Sequence, residues 1–149
     1  YMTSTRDFET FTPTRLFFDP GFSVIDAAIV TDKKKGLLMV VKNEEEKPAQ
    51  KNLRVTRADR IEDGFSTAVS EPIHDEPYWA EGPSPLWIGD WLYVYFDKYM
   101  LHRYGAVRSR DGVHWEDVSD RMSFPQGMRH GTVFAVPEKV LEALLKERP

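Results

Sequence analysis

The chain has 149 residues, 41% hydrophobic and 30% charged, which is the size and composition of one globular domain with a sizeable core. A formal net charge of −4 gives no basic footprint for nucleic acid or an anionic membrane, and the lack of cysteine excludes a disulfide framework and a thiolate metal site. No apolar run approaches the roughly 20 residues needed to cross a bilayer.

Residues 1–5 (Tyr-Met-Thr-Ser-Thr) read as a strand already in progress, so the chain is expected to be a portion of a longer protein and its compartment stays open. Residues 5–11 then form a turn. Residues 24–30 are an apolar inner-strand candidate interrupted by Asp26, followed by a polar turn at 31–35 and a second strand at 36–42. Residues 43–50 (Asn-Glu-Glu-Glu-Lys-Pro-Ala-Gln) are a solvated loop, and 52–57 alternate as a half-buried strand should. A second set of strands is expected at 84–88, 91–97 and 104–109, with Gly89-Asp90 as a hairpin turn. In the turn at 109–115, Asp111-Gly112 reverses the chain and Trp115 plugs between units. Residues 129–133 open another inner strand. Pro137 starts a helix to residue 146, with Val140, Leu141, Leu144 and Leu145 at helical spacing.

These elements repeat. Thr5-Arg-Asp-Phe-Glu-Thr-Phe11 aligns with Ser109-Arg-Asp-Gly-Val-His-Trp115, and Thr56-Arg-Ala-Asp59 is a weaker middle copy. The hydroxyl residues are 51 and 53 positions apart, while Asp26, Glu81 and His130 are 55 and 49 apart. A period near 50 is in the range of propeller blades. A β-sandwich also has many short strands, but it does not account for a repeated turn or for polar residues at one phase of the period. The expected fold is therefore all-β: a partial β-propeller of about two to three blades with a short C-terminal helix. Its parts are the end of one blade (1–20), a second blade (21–75), a third (76–127), and an inner strand plus the helix (128–149). The remaining blades are expected from other sequence or a second chain.

In such a scaffold the starts of inner strands face the central channel. Asp26 sits within Val-Ile-Asp-Ala-Ala, where a buried acid needs a purpose or a partner; it reads either as a site residue or as a structural carboxylate. Glu81 is followed by Gly82-Pro83, which restrict the backbone; it reads either as a rigidly held acid or as an exposed loop residue. His130 could orient a carboxylate, bind hydroxyls or contact a metal, though a single histidine is more often structural. Arg129 is a candidate ion-pair partner for one of the acids. Phe22, Tyr78 and Trp79 border the acids and read equally as ring-stacking or core residues. His74, His102 and His114 lack ligand spacing and read as loop or packing residues, and Trp87, Trp91, Tyr93 and Tyr95 as blade packing.

The ordered motifs Thr5–Phe11, Ile25-Asp-Ala27, Glu81-Gly-Pro83 and the Ser109–Trp115 turn, ending in Arg129-His-Gly-Thr-Val133, resemble the family 43 glycoside hydrolases. That family consists of five-bladed β-propellers that cleave arabinose- and xylose-containing glycans with inversion. The resemblance implies that Glu81 is the general acid and Asp26 the residue that tunes and orients it. Phe22, Trp79, Arg129 and His130 are the expected substrate-binding residues; the resemblance puts a calcium ion within reach of His130, and no cofactor is expected to be required. An Asp general base would precede Asp26 by one repeat, ahead of Tyr1; Asp7 and Asp19 are out of phase. The isolated chain is therefore expected to lack full activity. Its partner is an oligo- or polysaccharide, not nucleic acid or membrane. The competing readings are a non-catalytic carbohydrate-binding propeller module and an inactive truncated fragment.

Overall fold

The computed structural model describes residues 1–34, 36–74 and 78–146. Two antiparallel sheets carry the fold. The first runs β1 (Val24–Thr31), β2 (Leu37–Asn43) and β3 (Leu53–Ala58), and the second runs β4 (Glu81–Ile88), β5 (Trp91–Lys98), β6 (Arg103–Ser109) and β7 (Glu116–Asp117). Each sheet pairs its strands in chain order, the meander of a propeller blade, and β1 lies beside β4. With one short helix, α1 (Glu138–Lys146), the chain is a partial all-β propeller.

Burial alternates along β1 and most of β5, as in a strand with one face on the core, whereas β2 is a continuous apolar run buried on both faces. Leu38, Val40 and Val55 of the first sheet share one buried cluster with Leu92, Val94 and Phe96 of the second. At about 1.5–3 kcal/mol for each large side chain removed from water, this interface is the main force holding the blades together. Trp115 packs against it, as expected of a plug between blades. The other face of the first sheet buries Met39 and Val41 beneath Phe17, Phe18 and Phe65.

The two repeated turns match bond for bond. Thr5 Oγ1 accepts from the backbone N–H of Phe8 (2.9 Å), and Asp7 Oδ1 accepts from those of Glu9 (2.9 Å) and Thr10 (2.8 Å). Ser109 Oγ accepts from Gly112 (2.9 Å), and Asp111 Oδ1 from Val113 and His114 (both 2.9 Å). Phe8 and Gly112 share the left-handed conformation, with φ of 59° and 67°. Hydrogen bonds hold both Asp carboxyls well below the usual carboxylate range: for Asp7 those from the Thr10 and Glu9 N–H groups, and for Asp111 first the His114 ring, whose Nδ1 lies 2.8 Å from Oδ2, then the His114 and Val113 N–H groups. The second turn also joins the blades, because Arg57 Nη2 donates to Asp111 O (2.9 Å).

Several expectations need correction. Thr56 makes no such turn; it lies inside β3, and its hydroxyl donates to Ser66 O (2.6 Å). Residues 1–5 form only an isolated bridge, Met2 to Arg15. Residues 128–136 contain no strand. There the N–H groups of Gly131 and Val133 bind the side chains of Tyr104 (3.2 Å) and Ser84 (2.9 Å), so side chains do the anchoring that a neighbouring strand would have done. The loop at 43–50 is only partly solvated, since Glu44 is drawn inward by two lysines. The two-residue strand β7 was not anticipated. Lys35 of the expected 31–35 turn, and residues 75–77 at the expected boundary between blades, lie outside the described residues.

Candidate functional site

Both inner strands break their register near their starts, β1 between Ile25 and Ala28 and β4 between Glu81 and Ser84. Each break is a bulge with one residue in the left-handed region: Asp26 at φ 53° and Gly82 at φ 59°. Aspartate tolerates that conformation better than most residues. Pro83 lacks an N–H and therefore fits a bulge rather than a regular ladder position. The bulges turn Asp26 and Glu81 towards each other. Asp26 Oδ2 accepts from the Gly82 N–H at 3.0 Å, so one acid holds the backbone of the residue next to the other.

His130 completes the group. Its Nε2 lies 3.7 Å from Asp26 Oδ2 and 4.0 Å from Glu81 Oε1. The ring rests where a side chain at position 82 would project, since a Cβ there would come within 2.0 Å of His130 Cδ2. The side chains of Asp26, Glu81 and His130 are 28%, 20% and 54% exposed, so the group is sheltered but open. An open cleft of about 280 Å³ is lined by Asp26, Ala27, Gly82, Pro83, His130 and Thr132, together with Gly131.

One donor atom from each of the three lies within 4.8 Å of the others. Two carboxylates and an imidazole are a poor match for calcium, which takes about six to eight oxygen ligands. The donors present therefore do not support calcium beside His130, and no step below passes through a metal.

The other expected residues separate. Arg129 pairs with neither acid of the cleft; its Nε binds Asp97 Oδ2 at 2.6 Å. Asp97 is fully buried, and its Oδ1 has no hydrogen-bond partner among the described residues. Asp97 Oδ2 also takes a long contact from the His130 N–H (3.4 Å), so the Asp97–Arg129 pair secures the segment that carries His130. Trp79 is partly exposed, its ring 6.0 Å from that of Tyr99. Phe22 is half-buried ahead of β1 and does not line the cleft. Tyr78 is a packing residue: its ring stacks on His74 at 4.8 Å, and its hydroxyl donates to Asp117 Oδ2 at 2.6 Å. His74 is likewise internal and accepts from the Leu53 N–H at 3.1 Å.

Sequence reasoning missed two residues. Asp97, the register partner of Glu81 at the end of an alternating strand, is one. The other is Lys42, whose side chain is 3% exposed and whose Nζ lies 3.1 Å from Glu81 Oε2. The available signal was a lysine ending the apolar run Leu-Leu-Met-Val-Val.

A family model described as a probable glycosyl hydrolase domain, related to family 43, matches residues 1–142. A search of curated proteins found no match to the chain.

Proposed function

The chain belongs to this family of probable glycosyl hydrolase domains, and we propose that it contributes two of the three acids of an inverting glycosidase acting on arabinose- or xylose-containing glycans. In this reading Glu81 is the general acid. It protonates the leaving oxygen as the glycosidic bond breaks, and the bonding electrons depart with that oxygen. Asp26 orients the Glu81 segment through the Gly82 N–H and adds a like charge nearby. The general base, which activates water on the opposite face of the sugar, comes from sequence outside this chain. Phe22, Trp79, Arg129 and His130 are carried as sugar contacts, with His130 the one that lines the cleft.

The observation that carries the reading is the approach of two carboxylates from successive inner strands to within 4.8 Å, beside an open cleft that Asp26 and His130 line. An inverting acid and base stand about 6.5–9.5 Å apart to admit water. The short separation here therefore favours an orienting role for Asp26 over that of base.

The test is the complete glycosidase with aryl glycosides of graded leaving groups, the product anomer being followed by NMR. Inversion is expected, and Glu81→Gln should slow poor leaving groups roughly 100-fold more than activated ones. Retention would overturn the assignment and make Asp26 a nucleophile. Sugar binding that survives Glu81→Gln, with no turnover in the parent, would instead identify a non-catalytic binding face.

A further inference from the structure

A lysine at the end of an apolar strand is expensive to bury unless its charge is met. Lys42 Nζ lies 2.8 Å from Glu44 Oε2, 3.1 Å from Glu81 Oε2 and 4.8 Å from the centre of the Tyr99 ring. Its three donors thus face two carboxylates and the negative face of an aromatic ring. Glu44 is held in turn, since its Oε1 accepts from Lys51 Nζ at 2.7 Å. Burial alone would depress the Lys42 ammonium, but its close pairing with the Glu44 carboxylate and its hydrogen bond to Glu81 outweigh that and its pKa is raised. Lys42 is therefore charged at every pH at which the protein would work.

We propose that Lys42, itself fixed by Glu44 and Lys51, is a positioning residue that locks Oε2 of Glu81 and leaves Oε1 to carry and deliver the proton. This rests on reading Glu81 as the general acid. An oxygen that accepts from an ammonium at 3.1 Å is engaged as an acceptor, so in the protonated acid the hydrogen belongs on the other oxygen. Oε1 is that oxygen, and it is the one on the His130 side, 4.0 Å from Nε2. On transfer the O–H bond at Oε1 breaks and its proton joins the leaving oxygen. The carboxylate left behind already has a cation against Oε2. The lysine thereby stops the carboxyl group from rotating and meets the negative charge that transfer creates.

Two measurements test this. In lysine side-chain ¹H–¹⁵N NMR of this chain, the buried Lys42 ammonium should give a signal protected from water exchange, assigned by its loss in Lys42→Met. Glu81→Gln should shift that signal and speed its exchange while leaving Lys51 unmoved, whereas Glu44→Gln should move both. A Lys42 signal indifferent to Glu81→Gln overturns the lock. In the complete glycosidase, Lys42→Met should lower kcat for poor leaving groups roughly 10–100-fold, with KM held and activated leaving groups nearly spared. Lys42→Arg should recover part of the loss, and equal loss across leaving groups overturns the proposal. A Glu81→Gln enzyme without leaving-group dependence would overturn the acid assignment itself, a failure distinct from an unmoved Lys42 signal.

Discussion

Gly82→Ala is the substitution that most directly tests how the cleft is built. Glycine at φ 59° can be replaced only by forcing an L-residue into the left-handed region, at about 1–2 kcal/mol. The new methyl would lie 2.0 Å from His130 Cδ2 and 2.3 Å from Nε2, well inside van der Waals contact. The ring, half exposed, has to withdraw by more than an ångström, giving up its contacts with the two acids at a further cost of about 0.5–1 kcal/mol. The total is roughly 1.5–3 kcal/mol, and at roughly 2–4 °C per kcal/mol the melting temperature should fall by about 3–12 °C. Gly89→Ala is the control, because Gly89 has φ 56° but nothing within 4 Å of its Cβ position, so it carries the backbone strain alone. Thermal melts by circular dichroism measure both variants, and ¹H–¹⁵N spectra of the histidine rings report where His130 goes. The reasoning fails if Gly82→Ala melts no lower than Gly89→Ala, or if the His130 signals stay in place.

Asp97→Ala removes the buried half of the ion pair with Arg129, leaving the half-exposed arginine to water. The expected loss is about 2–3 kcal/mol, with trypsin cutting after Arg129 at least several-fold faster as the 128–133 segment loosens; unchanged cleavage would mean that something else anchors it. Asp111→Ala should cost about 1–2 kcal/mol at pH 7, because the backbone N–H groups of Val113 and His114 lose their acceptor. The Asp111 carboxyl is depressed in the fold, so its contribution is full above the ordinary carboxylate range, declines as pH falls below that range, and is gone only once pH has passed the depressed folded value. Urea midpoints of wild type and Asp111→Ala should therefore stay apart from pH 7 to the ordinary carboxylate range and begin to approach each other only below about pH 4, and a gap that widens toward acid would contradict that sign.

What could be read from the sequence was what neighbouring residues decide. The alternation in 91–97 and the apolar run in 36–42 placed β5 and β2 to within a residue, and Pro137 marked the start of α1. The matched turns could be read because Thr5 and Asp7, like Ser109 and Asp111, bond to backbone only two or three positions away. Asp26, Glu81 and His130 emerged as one group because the period put them in phase. Their charged neighbours did not, since Lys42 meets Glu81 across 39 positions and Asp97 meets Arg129 across 32. Arg129 was sought beside the cleft acids and went instead to an aspartate that its own sequence context did not single out. The strand expected at 129–133 failed for a related reason: a strand is defined by its partner, and Tyr104 and Ser84 hold this segment by their side chains.

The bulges that present Asp26 and Glu81 belong to different sheets, joined by hydrogen bonds at the cleft but spaced by the stack of Leu38, Val40 and Val55 on Leu92, Val94 and Phe96. A close-packed interface transmits a change of volume instead of absorbing it. The hydrophobic layer between the blades is thus a ruler for the cleft, and the gap between the carboxylates is its reading. A core exchange remote from the cleft, Val94→Ile for example, would tilt one blade against the other and alter the distance between Asp26 and Glu81. Tuning of this chemistry can accordingly be written in aliphatic side chains that never touch a substrate.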